Sequence, residues 1–206
     1  MSSEVVIINQ ALTLLGQKVI VARTDDTLEA QVMDQLFDFE RDNLLRRHSW
    51  NFATKRKKLA RSANTPEFEF EYQYPVPADW MRTVVVSASD HGHTDIAYRQ
   101  ALDETDNRVI LSDATELWLV YVAKVTDVGL FSADFQKLLS LRLAASACIR
   151  MKNSRTLQQD LEAQCKAQWF AATSSDAIED MPDRRPEGSW VRGRRGGSHS
   201  SRYWPG

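Results

Sequence analysis

Apolar side chains recur at helical spacing from the start of the chain. Ile8, Ala11, Leu12 and Leu15 predict a helix over residues 4–15, with Ser3 placed to cap its start and Gly16 to end it. A second helix is predicted from Asp26, with Glu29 three residues on as a capping-box partner, running to about Arg47. Projected at ~100° per residue, Leu28, Val32, Met33, Leu36, Phe37, Phe39 and Leu44 spread over about half its circumference. Glu29, Glu40, Asn43 and Arg47 fall inside that apolar arc. Charges there are costly unless paired, and Glu40 and Arg47 can pair either within the fold or across a subunit boundary. The pattern leaves both open.

The charged helix then runs into the aromatic and basic stretch His48-Ser49-Trp50-Asn51-Phe52-Ala53-Thr54-Lys55-Arg56. It reads as a structural joint, pinned by Trp50 and Phe52, where a helix turns into an extended strand. Beyond it the period falls to two. Phe68, Phe70, Tyr72 and Tyr74 alternate with Glu67, Glu69, Glu71 and Gln73, predicting a strand with one aromatic and one acidic face. Pro75-Val76-Pro77-Ala78-Asp79 stops it. Further strands are predicted at 81–86, 95–99, 108–111 and 117–125, with turns at 90–93 and 103–107.

Helices return after residue 125. Ser132 can cap one through about Met151 that is apolar on nearly every side, which suits the centre of a bundle. Ser154 can cap the next, with Leu157, Leu161, Cys165, Gln168 and Ala172 as its stripe and Trp169 beside it. From about Ser174 the pattern dissolves into a Gly/Ser/Arg-rich end that cannot pack by itself. The predicted class is therefore α+β. Residues 1–50 and 126–173 form a helical bundle of two N-terminal and two C-terminal helices. Residues 51–125 form an inserted antiparallel β-sheet region, and 174–206 an extended, flexible C-terminal arm.

Composition changes this picture little. At 206 residues, 43% hydrophobic and 26% charged, the chain is long enough to bury a sizeable core. Its net charge of −2 supplies no global field for nucleic acid or an anionic membrane. No apolar run approaches the ~18 residues of a membrane helix, so no membrane partner is expected. The start, Met1-Ser2-Ser3-Glu4-Val5, has neither a basic region nor a cleavage site, pointing away from signal-peptide export.

The charge is unevenly placed. From Arg184 onward six arginines face one glutamate, or +5, leaving the preceding residues at −7. Arg184, Arg185, Arg192, Arg194 and Arg195 around Trp190 suit either nucleic-acid backbones or an arm that inserts Trp190 into a partner's pocket. The second is favoured, because a lone Trp in such a tail has no role in the fold.

Candidate catalytic and metal chemistry is sparse. His91, His93 and Asp95 lie on a glycine turn and do not complete a tetrahedral set. His48 has no nucleophile in a strained elbow beside it and suits capping or packing at a helix end. Cys148 and Cys165 lack a CxxC spacing and read as buried free thiols. The regular acidic face of the 67–74 strand does not resemble a tuned pair of glycosidase carboxylates. No cofactor and no catalytic residue are assigned.

Several ordered stretches resemble the tail tubular protein A family, the head–tail connector adaptors of tailed bacteriophages. They are Ala11-Leu12-x-Leu14-Leu15-Gly16, Glu29-Ala30, and Arg41-Asp42-x-Leu44-Leu45-Arg46-x-His48-x-Trp50-Asn51-Phe52-Ala53-x-Lys55-Arg56. Tyr72-x-Tyr74, Pro77-Ala78-Asp79-Trp80-Met81-Arg82 and Leu119-Val120-Tyr121-Val122-Ala123 follow, then Leu141-x-Leu143-Ala144-Ala145 and Gly188-Ser189-Trp190-Val191. The resemblance spans about residues 5–195; the end after Gly196 matches nothing in it. It implies a non-enzymatic virion protein, assembled in the host cytoplasm into a dodecameric ring of copies of itself. That ring would bind the portal protein above and the tail nozzle protein below, and pass DNA without sequence specificity during genome ejection. Trp190 and its arginines would be portal- or neighbour-binding residues. A tail-associated peptidoglycan hydrolase, or nucleic-acid binding through the arginine-rich tail, are the alternative functions.

Overall fold

Each helix begins where a side-chain hydroxyl can receive one of its free amides. In the computed structural model, which describes residues 3–90 and 96–179, Ser3 Oγ accepts from Val6 N to start α1 (Glu4–Leu14). Thr27 Oγ1 accepts from Ala30 N at 3.2 Å to start α2 (Leu28–Arg47). Ser132 and Ser154 do the same at 3.3 Å for α3 (Ala133–Lys152) and α4 (Arg155–Glu179). Each such cap contributes ~1 kcal/mol. The cap of α2 is thus Thr27, one residue later than the sequence suggests; Asp26 instead accepts from Gln31 Nε2. At the end of α1, Gly16 adopts φ +58°, and Gln17 N reaches back to Leu12 O at 2.9 Å.

The helix that is apolar all round is the one with most neighbours. α3 packs against α1, α2 and α4, burying Phe135, Leu138, Leu139, Leu143, Ala144 and Ala147. α2 has α3 as its main neighbour, and one neighbour covers a narrower arc than half a circumference. Val32, Met33, Phe37 and Leu44 are therefore buried while Leu28 and Phe39 stay exposed.

The strands are β1 (Thr54–Leu59), β2 (Tyr72–Pro75), β3 (Trp80–Ser87), β4 (Arg99–Leu102), β5 (Arg108–Ser112) and β6 (Leu117–Ala123). They form two three-stranded antiparallel sheets, ordered β1-β6-β3 and β2-β5-β4, where the sequence suggests one. In the first, the register runs from Thr54 opposite Val122 to Leu59 opposite Leu117. β6 faces two ways. Val122 joins the core made by the helices, whereas Leu117, Leu119, Tyr121 and Ala123 join a second core with Leu59, Tyr74 and Ile110.

Three further expectations need correction. The strand expected at 95–99 is displaced: residues 96–98 are not strand, and β4 occupies Arg99–Leu102. Residues 67–71 are not strand, because Glu69 has φ 76° and Phe70 N bonds back to Phe68 O, which breaks the alternation. Phe68 is left 76% exposed, and Glu69 pairs with Arg99 at 2.8 Å. The last helix does not stop near Thr173 but continues to Glu179, so no arm begins at residue 174. Its extra turns are held by Asp176, as described next.

Candidate functional site

The end of α2 presents carbonyl groups that the helix itself cannot satisfy. Trp50, fully buried, closes one of them: its indole Nε1 donates to Leu44 O at 3.0 Å. Around it stand the His48 ring at 4.7 Å, Phe135 at 5.1 Å, Trp169 at 5.9 Å and Phe52 at 6.0 Å, mostly edge-on. Thr54 Oγ1 donates to Trp50 O, so the pin is fastened at the point where β1 begins.

Asp176, on the last turns of α4, holds the other side. Its carboxylate accepts from His48 Nε2 and from Asn51 N, both at 3.0 Å, and its carbonyl accepts from Asn51 Nδ2 at 2.7 Å. Arg82 of β3 adds a bond from Nη2 to Ser49 Oγ at 2.7 Å. The joint read from sequence is therefore tied to the end of α4 and to the first sheet at once.

Several charges on α2 meet partners within the chain. Glu40, 3% exposed, accepts from Arg142 Nε at 3.0 Å and from Ser146 Oγ at 2.5 Å, both on α3. Arg47 lays its guanidinium over Trp169, 4.7 Å from the ring centre. Arg41, equally buried, pairs with Asp38 and Asp42, and Asp42 also meets Lys124 just past β6. A third tie lies lower. Asp79 binds Lys55 Nζ at 2.7 Å and accepts from Tyr121 Oη at 3.1 Å. Burial works against the charge on Asp79, but the bonds from Lys55 and Tyr121 outweigh it and hold its carboxyl below the usual range. Burial, then the bond to Asp79, pushes the Tyr121 phenol up to about 12.

The other candidates are quickly placed. Cys148 and Cys165 are free and buried, and burial first of all raises both thiols, that of Cys165 to about 11. Among the described residues no group of three or more His, Cys, Asp or Glu side chains is set to hold a metal ion, and no helix is long and apolar enough to cross a membrane. A mostly apolar groove of about 750 Å³ runs between α1, α3 and α4, lined by Val6, Gln10, Leu14, Lys137, Leu141 and Gln164. Trp190, Arg184, Arg185, Arg192, Arg194 and Arg195, like His91, His93 and Asp95, lie outside the described residues.

Glu40, Arg47, Trp50 and Phe52 are legible as candidates in the sequence, and Arg41 and Asp79 stand in its family-like motifs with no partner indicated; Asp176 and Arg142 are not singled out there. A signal for Asp176 existed. Continuing the stripe Leu161, Cys165, Gln168, Ala172 by one turn lands on it, a carboxylate on a buried face. No protein-family model matches the chain, and no curated protein resembles it closely enough to count as a match.

Proposed function

We propose that this chain is a non-enzymatic structural protein of a tailed-bacteriophage virion: a head–tail adaptor of the tail tubular protein A type, ringing a DNA passage below the portal. The observation that carries this reading is where the family-like motifs fall. His48, Trp50 and Asn51 tie the end of α2 to α4 and to the start of β1, Asp42 of α2 reaches Lys124 just past β6, and Asp79 and Tyr121 join the start of β3 to β6. A sequence whose distinctive residues serve as fastenings suits a part that must keep its shape under load. In this reading α1–α4 are a helical bundle facing the portal, and the sheets between Thr54 and Ala123 are an insert facing the nozzle. Neighbouring copies would pack heterologously and close into a ring. Trp190 and its arginines would latch onto the portal or the next copy through charge-assisted contacts.

Electron microscopy of the purified protein with and without a portal tests this directly. A closed ring seated on the portal is the expected result. Protein truncated after Glu179 should keep its fold and lose docking; normal assembly by that protein would remove the latch from the scheme. Clearing of purified peptidoglycan, lost on one carboxylate substitution, would overturn the non-enzymatic reading altogether.

A further inference from the structure

Strand β1 carries a charge pattern that the fastening of the joint does not use up. Lys55, Arg56, Lys57 and Lys58 are consecutive and all exposed, and Arg61 follows three residues later, also exposed. Between Thr54 and Pro66 the sequence has these five cations and no carboxylate. β1 is an edge strand, paired to β6 on one side only. Lysine on a sheet edge commonly serves to block edge-to-edge pairing, and one or two such side chains suffice for that. Four in succession put cations on both faces of the strand, and like charges so close repel one another.

Two of the four are neutralised by the fold: Lys55 by Asp79 at 2.7 Å and Lys58 by Glu116 at 2.6 Å, with its ammonium 4.7 Å from the centre of the Trp118 ring. Arg56 and Lys57 have no side-chain partner among the described residues. The Arg61 guanidinium sits over Tyr72, 4.5 Å from the ring centre, a contact that does not neutralise it. The register puts Arg56 and Lys58 on the same face as Val120 and Trp118 of β6, and Lys55 and Lys57 on the face of Leu119 and Tyr121. Residues two apart on a strand are about 6.8 Å apart, so alternate cations meet separate phosphates and do not crowd one.

We propose that the β1 edge, with Arg56 and Lys57 at its centre and Arg61 beyond, binds the phosphate backbone of double-stranded DNA. The contact is electrostatic and blind to sequence, because side chains on a sheet edge meet phosphates and not base edges. The net charge of −2 gives the whole chain no general attraction for DNA, so binding has to rest on a local patch such as this one. A single protomer suffices, so the surface stands or falls apart from ring assembly.

The test is fluorescence anisotropy of a short labelled duplex titrated with the full chain over a series of salt concentrations. Binding that weakens steeply with salt is expected. R56Q/K57Q should bind more weakly and lower the slope of log affinity against log salt by about 2, one for each lost phosphate contact. Its melting temperature should match the parent, since both side chains are exposed. A second variant, R184Q/R185Q/R192Q/R194Q/R195Q, removes the tail cations, and the strand's share of binding should survive in it. No binding by the parent at low salt, an unchanged slope in R56Q/K57Q, or loss of all binding in the tail variant would each overturn the proposal. So would an R56Q/K57Q protein that binds DNA normally but no longer self-associates, which would make the strand a contact for an acidic protein surface.

Discussion

His48 and Asp176 stand 128 positions apart in the sequence and 3.0 Å apart in the fold, Nε2 to Oδ2. Through this bond and the two made by Asn51, the end of the last helix sets the angle at which the second helix turns into β1. Replacing Asp176 with alanine leaves the Asn51 amide and the His48 imidazole, both part-buried in these bonds, without their acceptor. A loss of about 1–3 kcal/mol of unfolding free energy is expected, read from urea denaturation. Truncation after Thr173 should cost at least as much, whereas truncation after Glu179 should leave the midpoint unchanged. Equal midpoints for the two truncations would show that Asp176 holds nothing.

Trp50 combines volume with a polar tie. Trp50→Ala should cost about 3–5 kcal/mol, because the surrounding Phe52, Phe135 and Trp169 cannot all close on the space. Trp50→Phe keeps most of the ring contacts but leaves Leu44 O without the indole donor, for a smaller loss of about 1–2 kcal/mol. A Trp50→Phe protein as unstable as Trp50→Ala would mean the volume of the ring matters less than its nitrogen.

Glu40 and Arg142 form an ion pair with one buried and one partly wet end, at 4% and 36% side-chain exposure. Breaking a fully buried pair costs about 3–5 kcal/mol. Arg142 can recover water when Glu40 is removed, so Glu40→Ala should cost less, about 1–3 kcal/mol. The double variant E40A/R142M should regain part of that loss. Strict additivity in the double-mutant cycle would argue that the two side chains do not act together.

Alkaline stability should report on Tyr121. Its phenol titrates at about 12 in the fold against an ordinary 10.0, so the folded protein holds this proton more tightly than the unfolded chain. The contribution is full below about pH 10 and is lost as pH rises towards about 12. Asp79 works in the opposite sense: its lowered value gives stability above the ordinary carboxylate range that is lost on acidification through the folded value. Melting temperature measured against pH should therefore fall at both ends, and Tyr121→Phe should flatten the alkaline limb and, by removing one of the bonds that hold Asp79 low, soften the acid limb as well. An alkaline limb unchanged in Tyr121→Phe would place the loss on other groups.

Local chemistry was legible and long-range pairing was not. Ser3, Ser132 and Ser154 announce helix starts because a cap involves only the next three residues. Glu40 and Arg47 announced themselves as charges on an apolar arc, yet nothing in the sequence nominated Arg142 or Trp169 to receive them. The division of the strands into two sheets depends on β6 choosing β1 and β3 as partners, a choice made across the chain. Glu69 shows the opposite failure: perfect alternation in sequence was broken by one residue in a left-handed conformation.

The two-sided burial of β6 has a consequence for how faithfully the chain folds. Its odd-numbered positions Leu117, Leu119 and Tyr121 answer to one core and Val122 to another, with Trp118 and Val120 half-buried between them, so the end of the strand is checked from both sides. A slip of a single residue in the β1–β6 ladder would turn every side chain over and hand each core the other's contents. Both would then fail together, and a mispaired chain would have no half-correct structure in which to linger. The strand works as a proofreader: it admits one alignment and makes its nearest competitor unstable on both sides.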